Sequence, residues 1–407
     1  MSLSTALTRC LACGGARLEE YLDLGKQPLA NSCHDGQDSL PTFPLGARVC
    51  LDCWHSQLTV AVNPELLFKH YLYVSGTTRT LQQYFTRFVE RVEAAMRPKA
   101  PLRVLDIASN DGSLLAAFKL RGHVVQGIDP AENLRAASME KGVPTIVGYW
   151  NEAVADALGE QFDVVVAMNV LGHVADPAAF LSLCRRALRP GGRIYIQTSQ
   201  ALMVKNGEFD TIYHEHHSFF NVSSFTRLAA RTGLQIQAID HVPVHGTSYL
   251  VELGPGTGAQ QQKEDFAIGR LEAEWRYYQW ETYAAFAARA RTIKARVRDL
   301  VAWHRSAGYR LIGYGVAAKG MTFVNFADLD FDYLIDDNPL KVGLLTPGRN
   351  NPICGPDRLD REGERALFVI LAWNFYDEVV ERIRQRKRHP LDGFLSYFPN
   401  VAVTSFS

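Results

Sequence analysis

The sequence lacks any run approaching the ~18 to 20 apolar residues that a membrane span needs. It has no net charge either: Lys+Arg is 43 and Asp+Glu is 43. That balance weighs against a dedicated nucleic-acid binder, which carries a basic excess. The opening MSLSTALTRC has no apolar core of the kind a secretory signal needs, so the expected compartment is the cytoplasm. Two nucleotide-site motifs are missing as well. No G-x-G-x-x-G follows a strand, and no G-x-x-x-x-G-K-[ST] occurs, so neither a dinucleotide pyrophosphate nor a Walker-type phosphate is expected.

What is present is ordinary globular composition, 47% hydrophobic and 21% charged over 407 residues, enough for two or three domains. Of seven cysteines, four form two hooks, Cys10-Leu-Ala-Cys13 and Cys50-Leu-Asp-Cys53, separated by 36 residues. In a cytosolic chain stable disulfides are rare. Two C-x-x-C hooks can supply four thiolates to one tetrahedral Zn2+, a closed site that stabilises a fold and does no chemistry. A redox C-x-x-C would need only one hook, near a βαβ unit. Cys33, Cys184 and Cys354 are isolated and read as small buried hydrophobes.

Leu81, Tyr84, Phe85, Phe88, Val89, Val92 and Met96 are spaced by threes and fours, predicting a helix over 80–96 closed by Pro98 and Pro101. A buried-type strand follows at 103–107, then the turn Ala108-Ser-Asn110-Asp-Gly112 and a helix from Ser113. A second strand at 124–128 ends in Asp129, 23 residues beyond Asp106. An acid at that place is where a doubly wound sheet grips a ribose diol. With the glycine fingerprint absent, a ligand without phosphate fits better, and S-adenosylmethionine (SAM) has an amino group that Asp106 can hold. The candidate donor-binding residues are Asp106, Ala108, Asn110, Gly112, Asp129, Met168 and Asn169. The downstream order, a strand at 162–167, then Leu188-Arg-Pro-Gly-Gly192 and a strand at 194–196, resembles class I SAM-dependent methyltransferases.

Tyr213-His214-Glu215-His216-His217 is dense titratable chemistry. The metalloprotease spacing H-E-x-x-H fails, because the order is H-E-H-H. Acid–base catalysis beside a methyl donor remains, since histidine titrates near neutrality. A polar turn with capping histidines is the bland alternative.

Two cysteine hooks, Asn110-Asp-Gly112, Asn169-Val-Leu-Gly-His173, Tyr213-His-Glu-His216, His245-Gly-Thr-Ser248, Gly313-Tyr-Gly-Val-Ala-Ala-Lys319-Gly320, Thr346-Pro-Gly348 and Ala372-Trp-Asn374 occur in that order. The set, spread over nearly the whole chain, resembles the three-domain sugar C-methyltransferases that build branched deoxysugars. The resemblance implies an α/β protein with a zinc-binding domain (1–75), a class I SAM-methyltransferase Rossmann-like domain (76–255) and a C-terminal helical linker with a second Rossmann-like domain (256–407). It implies a nucleotide-linked 4-keto-deoxysugar as substrate, with methylation at the carbon alpha to the ketone through an enolate. It implies His216 as the base, Tyr213, Glu215, His173 and Tyr71 as supporting catalytic residues, and His245, Tyr314 and Lys319 as candidate substrate contacts. His217, Phe219, Thr247 and Leu250 depart from the family pattern and bear on the sugar's identity. O- or N-methylation of another small molecule, or RNA methylation, are the alternatives, and a monomer is the default assembly.

In the tail, 264–304 reads as one or two long helices, and strands are expected at 310–314 and ending at Asp336-Asp337. The Lys319 loop reads either as a diphosphate cradle or as a plain turn. The run Arg382, Arg384, Arg386, Lys387, Arg388 reads as a solvated helix end.

Overall fold

The computed structural model describes residues 3–36, 40–68, 79–244, 246–257 and 260–405. Tyr71 and His245 lie outside the described residues.

At the N-terminal end the strands Leu18–Pro28, Thr42–Cys50 and Ser56–Leu58 form an antiparallel sheet. Its fourth strand comes from far along the chain: Ser218–Phe219 pairs with Ser56 and Gln57. The residues immediately after the histidine block are thus part of the N-terminal sheet.

The middle sheet has seven strands, ordered Leu234–Val242, Ser248–Pro255, Leu188–Thr198, Phe162–Met168, Arg103–Ile107, Val124–Asp129, Thr145–Val147. The last five of these are mutually parallel, and Ser248–Pro255 runs antiparallel to both its neighbours. The strand order reverses beside Arg103–Ile107, and a ligand crevice opens there at the carboxyl ends. The helix Arg79–Met96 forms as its apolar stripe predicts; Phe85, Phe88, Val89 and Val92 are buried. Leu188-Arg-Pro-Gly-Gly192, read as preceding a strand at 194–196, is itself part of the single strand Leu188–Thr198, with a register shift between Leu188 and Arg193 absorbing its extra residues.

The tail begins with helices Ala267–Glu274 and Trp280–Ser306. A second sheet follows, ordered Ile353–Cys354, Tyr333–Ile335, Arg310–Tyr314, Ala366–Ile370, Gly393–Ser396, Ala402–Ser405, parallel but for its last strand. It too reverses order at its first strand, Arg310–Tyr314.

One apolar cluster joins all three regions. It takes Tyr21 and Leu45 from the N-terminal sheet, Phe209 and Ile212 from the segment before the histidines, Tyr283, Phe286 and Val297 from the long helix, and Phe323 and Tyr397 from the tail. The basic run of the tail closes a helix with exposed or half-exposed arginines, as expected, except at Lys387. Lys387 is 4% exposed and its Nζ lies 2.6 and 2.8 Å from the two carboxylate oxygens of Asp392. Burial forces that pairing, because an unpaired ammonium in the interior is costly. Arg382 pairs with Asp337 and Glu378, and Arg386 with Asp360. Among the described residues no helix is long and apolar enough to cross a membrane.

Candidate active site

The four hook cysteines converge. Cys10 Sγ lies 3.5 Å from Cys53 Sγ, and Cys13 Sγ 3.6 Å from Cys50 Sγ. All four sulfurs lie within 4.8 Å of one another, and no pair is joined. Ligands about 2.3 Å from a tetrahedral Zn2+ sit about 3.8 Å apart, so the donor set fits that ion. The backbone amides of Cys13 and Gly15 donate to Cys10 Sγ and Cys13 Sγ, as thiolates require. These cysteines pack against the middle domain, where Arg231 donates to the carbonyls of Leu11 and Ala12.

At the crevice of the middle sheet lies a cavity of about 300 Å³. Asp106, Ala108, Asn110, Asp129, Met168, Asn169 and His173 line it, as do Tyr149, Trp150 and His217. Asp129 is fixed by two backbone amides, Asn110 N and Ala131 N, each at 2.8 Å. The loop reaches it by alternating left-handed residues, Ala108 (φ 61°), Asn110 (φ 52°) and Gly112 (φ 72°). Non-glycine residues in that region mark strain held in place at a site. Gly112 itself is not in the wall; a Cβ there would lie 2.4 Å from Ser138 Oγ, so the glycine permits a close backbone approach. Asp106 Oδ1, Ser109 Oγ and Asn169 Oδ1 are buried without a protein partner. Buried polar atoms left unmatched around one cavity call for a polar ligand. Burial, then the neighbouring Asp129, pushes the Asp106 carboxyl well above its usual range; burial does the same to Asp129. A cationic ligand relieves both. These residues fit SAM, whose ammonium and ribose hydroxyls match the two acids.

The histidine block is an irregular turn closed by His216 N donating to Tyr213 O at 2.9 Å. Its successive side chains go to different places. His214 Nε2 lies 3.3 Å from the Pro44 carbonyl of the N-terminal sheet. Glu215 Oε1 accepts from Asn31 Nδ2 at 2.6 Å. His216 Nδ1 lies 2.9 Å from the Thr211 carbonyl. His217 reaches the cavity wall, with the backbone of His173 and Val174 beside its ring. A carbonyl only accepts, so the His216 proton sits on Nδ1 and Nε2 keeps its lone pair. Gln200 Nε2 lies 3.2 Å from that nitrogen and 2.9 Å from Nδ1, held there by a left-handed backbone (φ 67°). The His216 ring centre is 4.1 Å from that of Tyr213 and 4.9 Å from that of His173. His173 Nδ1 donates to the Glu215 carbonyl at 2.7 Å. Burial keeps these histidines neutral: it lowers His216 well below the usual value, lowers His173, and takes His214 and His217 to about 4. Burial raises the Glu215 carboxyl to about 7.

Of the expected substrate contacts, Lys319 is half-buried, with Nζ 4.9 Å from the Trp373 ring centre. Tyr314 is 2% exposed and its hydroxyl donates to Asp337 at 3.0 Å. It therefore serves the tail's own packing rather than the cavity. Asp210, Gln200 and Asn31 were not singled out by the sequence, since each finds its partners only through the fold.

Three family profiles match in succession: a zinc binding domain at 10–68, a methyltransferase domain at 77–239 and the C-methyltransferase C-terminal domain at 243–393. The C-methyltransferase NovU of Streptomyces niveus is 27% identical over 392 residues, 93% of each chain. The likeness runs along nearly the whole chain, and the protein is a C-methyltransferase. The C-methyltransferase is SAM-dependent, and its four-cysteine cluster lies within the zinc binding profile. The chain is also 31% identical over 173 residues to the ubiquinone biosynthesis O-methyltransferase of Chromobacterium violaceum, covering 38% of this chain and 74% of that one. The magnesium protoporphyrin IX methyltransferase ChlM of Synechocystis PCC 6803, solved with bound SAM, aligns at 16% identity with a TM-score of 0.33, over 42% of this chain and 78% of its own.

Proposed function

We propose that this C-methyltransferase acts on a nucleotide-linked 4-keto-deoxysugar, at the carbon alpha to the ketone, with His216 as the base. The observation that carries the reading is the 2.9 Å contact of His216 Nδ1 with the Thr211 carbonyl, which makes Nε2, 3.2 Å from the Gln200 amide nitrogen, the basic nitrogen of a ring packed on a histidine that lines the donor cavity.

His216 Nε2 removes the alpha proton; the C–H bond breaks and its electron pair becomes the enolate. Tyr213, in ring contact with His216, is placed to donate to the enolate oxygen, and the Lys319 ammonium adds positive charge on the tail side. Tyr71, outside the described residues, belongs to the same group by its motif. When bound, SAM supplies an electrophilic methyl group. The methyl would pass to the enolate carbon as its bond to sulfur breaks, the electron pair staying on sulfur and S-adenosylhomocysteine being the leaving group, while the proton stays on His216 until solvent takes it. Asp106 and Asp129 hold the donor; Met168 and Asn169 shape its wall; Glu215 fixes His173 through its carbonyl and the N-terminal domain through Asn31.

The test is His216→Asn. It should bind SAM like wild type and lose both methyl transfer and deuterium exchange at the alpha carbon, by about 10²- to 10⁴-fold. Retained exchange would remove His216 as the base.

A further inference from the structure

The segment before the histidine block links two domains. The single turn Phe209–Thr211 sends its first two side chains into the tail. Phe209 is fully buried, with ring centres 5.7 Å from Phe326 and 6.1 Å from Phe323. Asp210 is also fully buried; its Oδ2 accepts from Trp373 Nε1 at 2.7 Å and from the Tyr397 hydroxyl at 2.9 Å. Asp210 Oδ1 has no partner. The third residue, Thr211, presents its carbonyl to His216 Nδ1.

Trp373 follows the strand Ala366–Ile370, next to the reversal of strand order in the tail, and the Lys319 ammonium lies over its ring. Tyr397, 0% exposed, stacks on Phe323 at 4.0 Å and is out of reach of any substrate. A chain of contacts therefore runs from Trp373 and Tyr397 of the tail to Asp210, and across one peptide to the carbonyl that faces His216 Nδ1.

We propose that Asp210 is a positioning residue: by tying the Phe209–Thr211 turn to Trp373 and Tyr397, it lets the C-terminal domain set the tautomer and aim of His216. The catalytic consequence rests on His216 being the base; the tautomer consequence does not. A carboxylate bound only as interdomain glue would affect melting and nothing at the ring. The latch makes base strength and direction depend on the domain that carries Lys319, so proton abstraction is coupled to the seating of that domain.

The experiment uses the full chain with ¹⁵N-labelled histidine, His216→Asn serving to assign the ring signals. Wild type should show His216 as the Nδ1–H tautomer. Tyr397→Phe, which removes one hydroxyl inside a packed ring stack, and its combination with Trp373→Phe should move His216 toward mixed tautomers. Asp210→Ala should do so most, and Asp210→Asn, which keeps an acceptor in place, should restore the wild-type pattern. In deuterium exchange with a nucleotide-linked 4-keto-deoxysugar, the Tyr397/Trp373 pair should lose about tenfold or more while binding SAM within about twofold of wild type. An unchanged His216 tautomer in Tyr397→Phe and in the pair would overturn the proposal. Should His216→Asn keep exchange, the base reading falls, and the ring signals still decide the latch.

Discussion

At the scale of single residues, the site is built from groups that burial has made neutral or has left unmatched. Asp106 is the sharpest case, a cavity-lining acid 3% exposed with one carboxylate oxygen unpaired. Replacing it with Asn removes the charge that a cationic donor answers. Asp106→Asn should therefore weaken SAM binding by about ten- to a hundredfold, the worth of about 1.5 to 3 kcal/mol for a charged hydrogen bond; calorimetry reads it. His217 gives a pH signature. Its folded pKa is depressed from 6.5 to about 4, mainly by burial and next by His173. A depressed histidine contributes stability that is present above about 6.5 and lost as the pH falls through about 4. Glu215, raised to about 7, works the other way and loses stability as the pH rises from about 4.5. Melting of His217→Phe relative to wild type should thus improve as the pH is lowered from 6.5 to 4, with the Glu215 contribution cancelling in the comparison. A constant difference would exclude the depressed histidine.

At the scale of elements, the donor loop shows how far the sequence could be read. The strand at 103–107, the turn and Asp129 were legible because each acts within a short stretch of chain. Hydrophobic runs, a turn and an acid at a strand end carry local signals. Gly112 was legible as a turn residue but not in its reason, which is the approach of Ser138 from another element. Gly112→Ala must hold a left-handed φ of 72° and displace Ser138 Oγ, which itself bonds Thr145 Oγ1 at 2.7 Å. The left-handed backbone alone costs about 1 to 2 kcal/mol. Denaturant midpoints should fall by at least that much, with SAM affinity dropping as the loop shifts. The latch was illegible for the opposite reason. Asp210 lies 163 residues from Trp373 and 187 from Tyr397, and nothing local marks it as a carboxylate with distant donors. Lys387 misled because its charge is visible in the sequence and its burial against Asp392 is not.

At the scale of the whole molecule, the zinc hooks, the donor cavity and the tail are tied through the segment from Phe209 to Phe219. The cysteines hold the N-terminal sheet; that sheet meets His214 through Pro44, and the loop between its first two strands meets Glu215 through Asn31. Metal removal should then reach the chemistry from a distance. Cys10→Ser, or treatment of wild type with a strong chelator, should release one Zn2+ per chain and lower the melting temperature. Exchange at the alpha carbon should be lost before SAM binding is, because Asp106 and Asp129 sit on a sheet the hooks do not build. Simultaneous loss of both would show the domains to be one unit. A wild-type chain purified without metal would end the zinc assignment.

The strand Ser218–Phe219 gives this arrangement a consequence for inheritance. It is two residues long, yet it belongs to the N-terminal sheet while the chain around it belongs to the middle domain. A recombination that exchanged N-terminal domains between relatives would replace Gln57 and Ser56, the rungs on which the segment after the base is hung. Chimeras with a junction between the two sheets should fold and bind donor but abstract protons poorly, and activity should return when 209–221 travels with its own N-terminal domain. Two distant stretches of the chain would then vary as one heritable cassette.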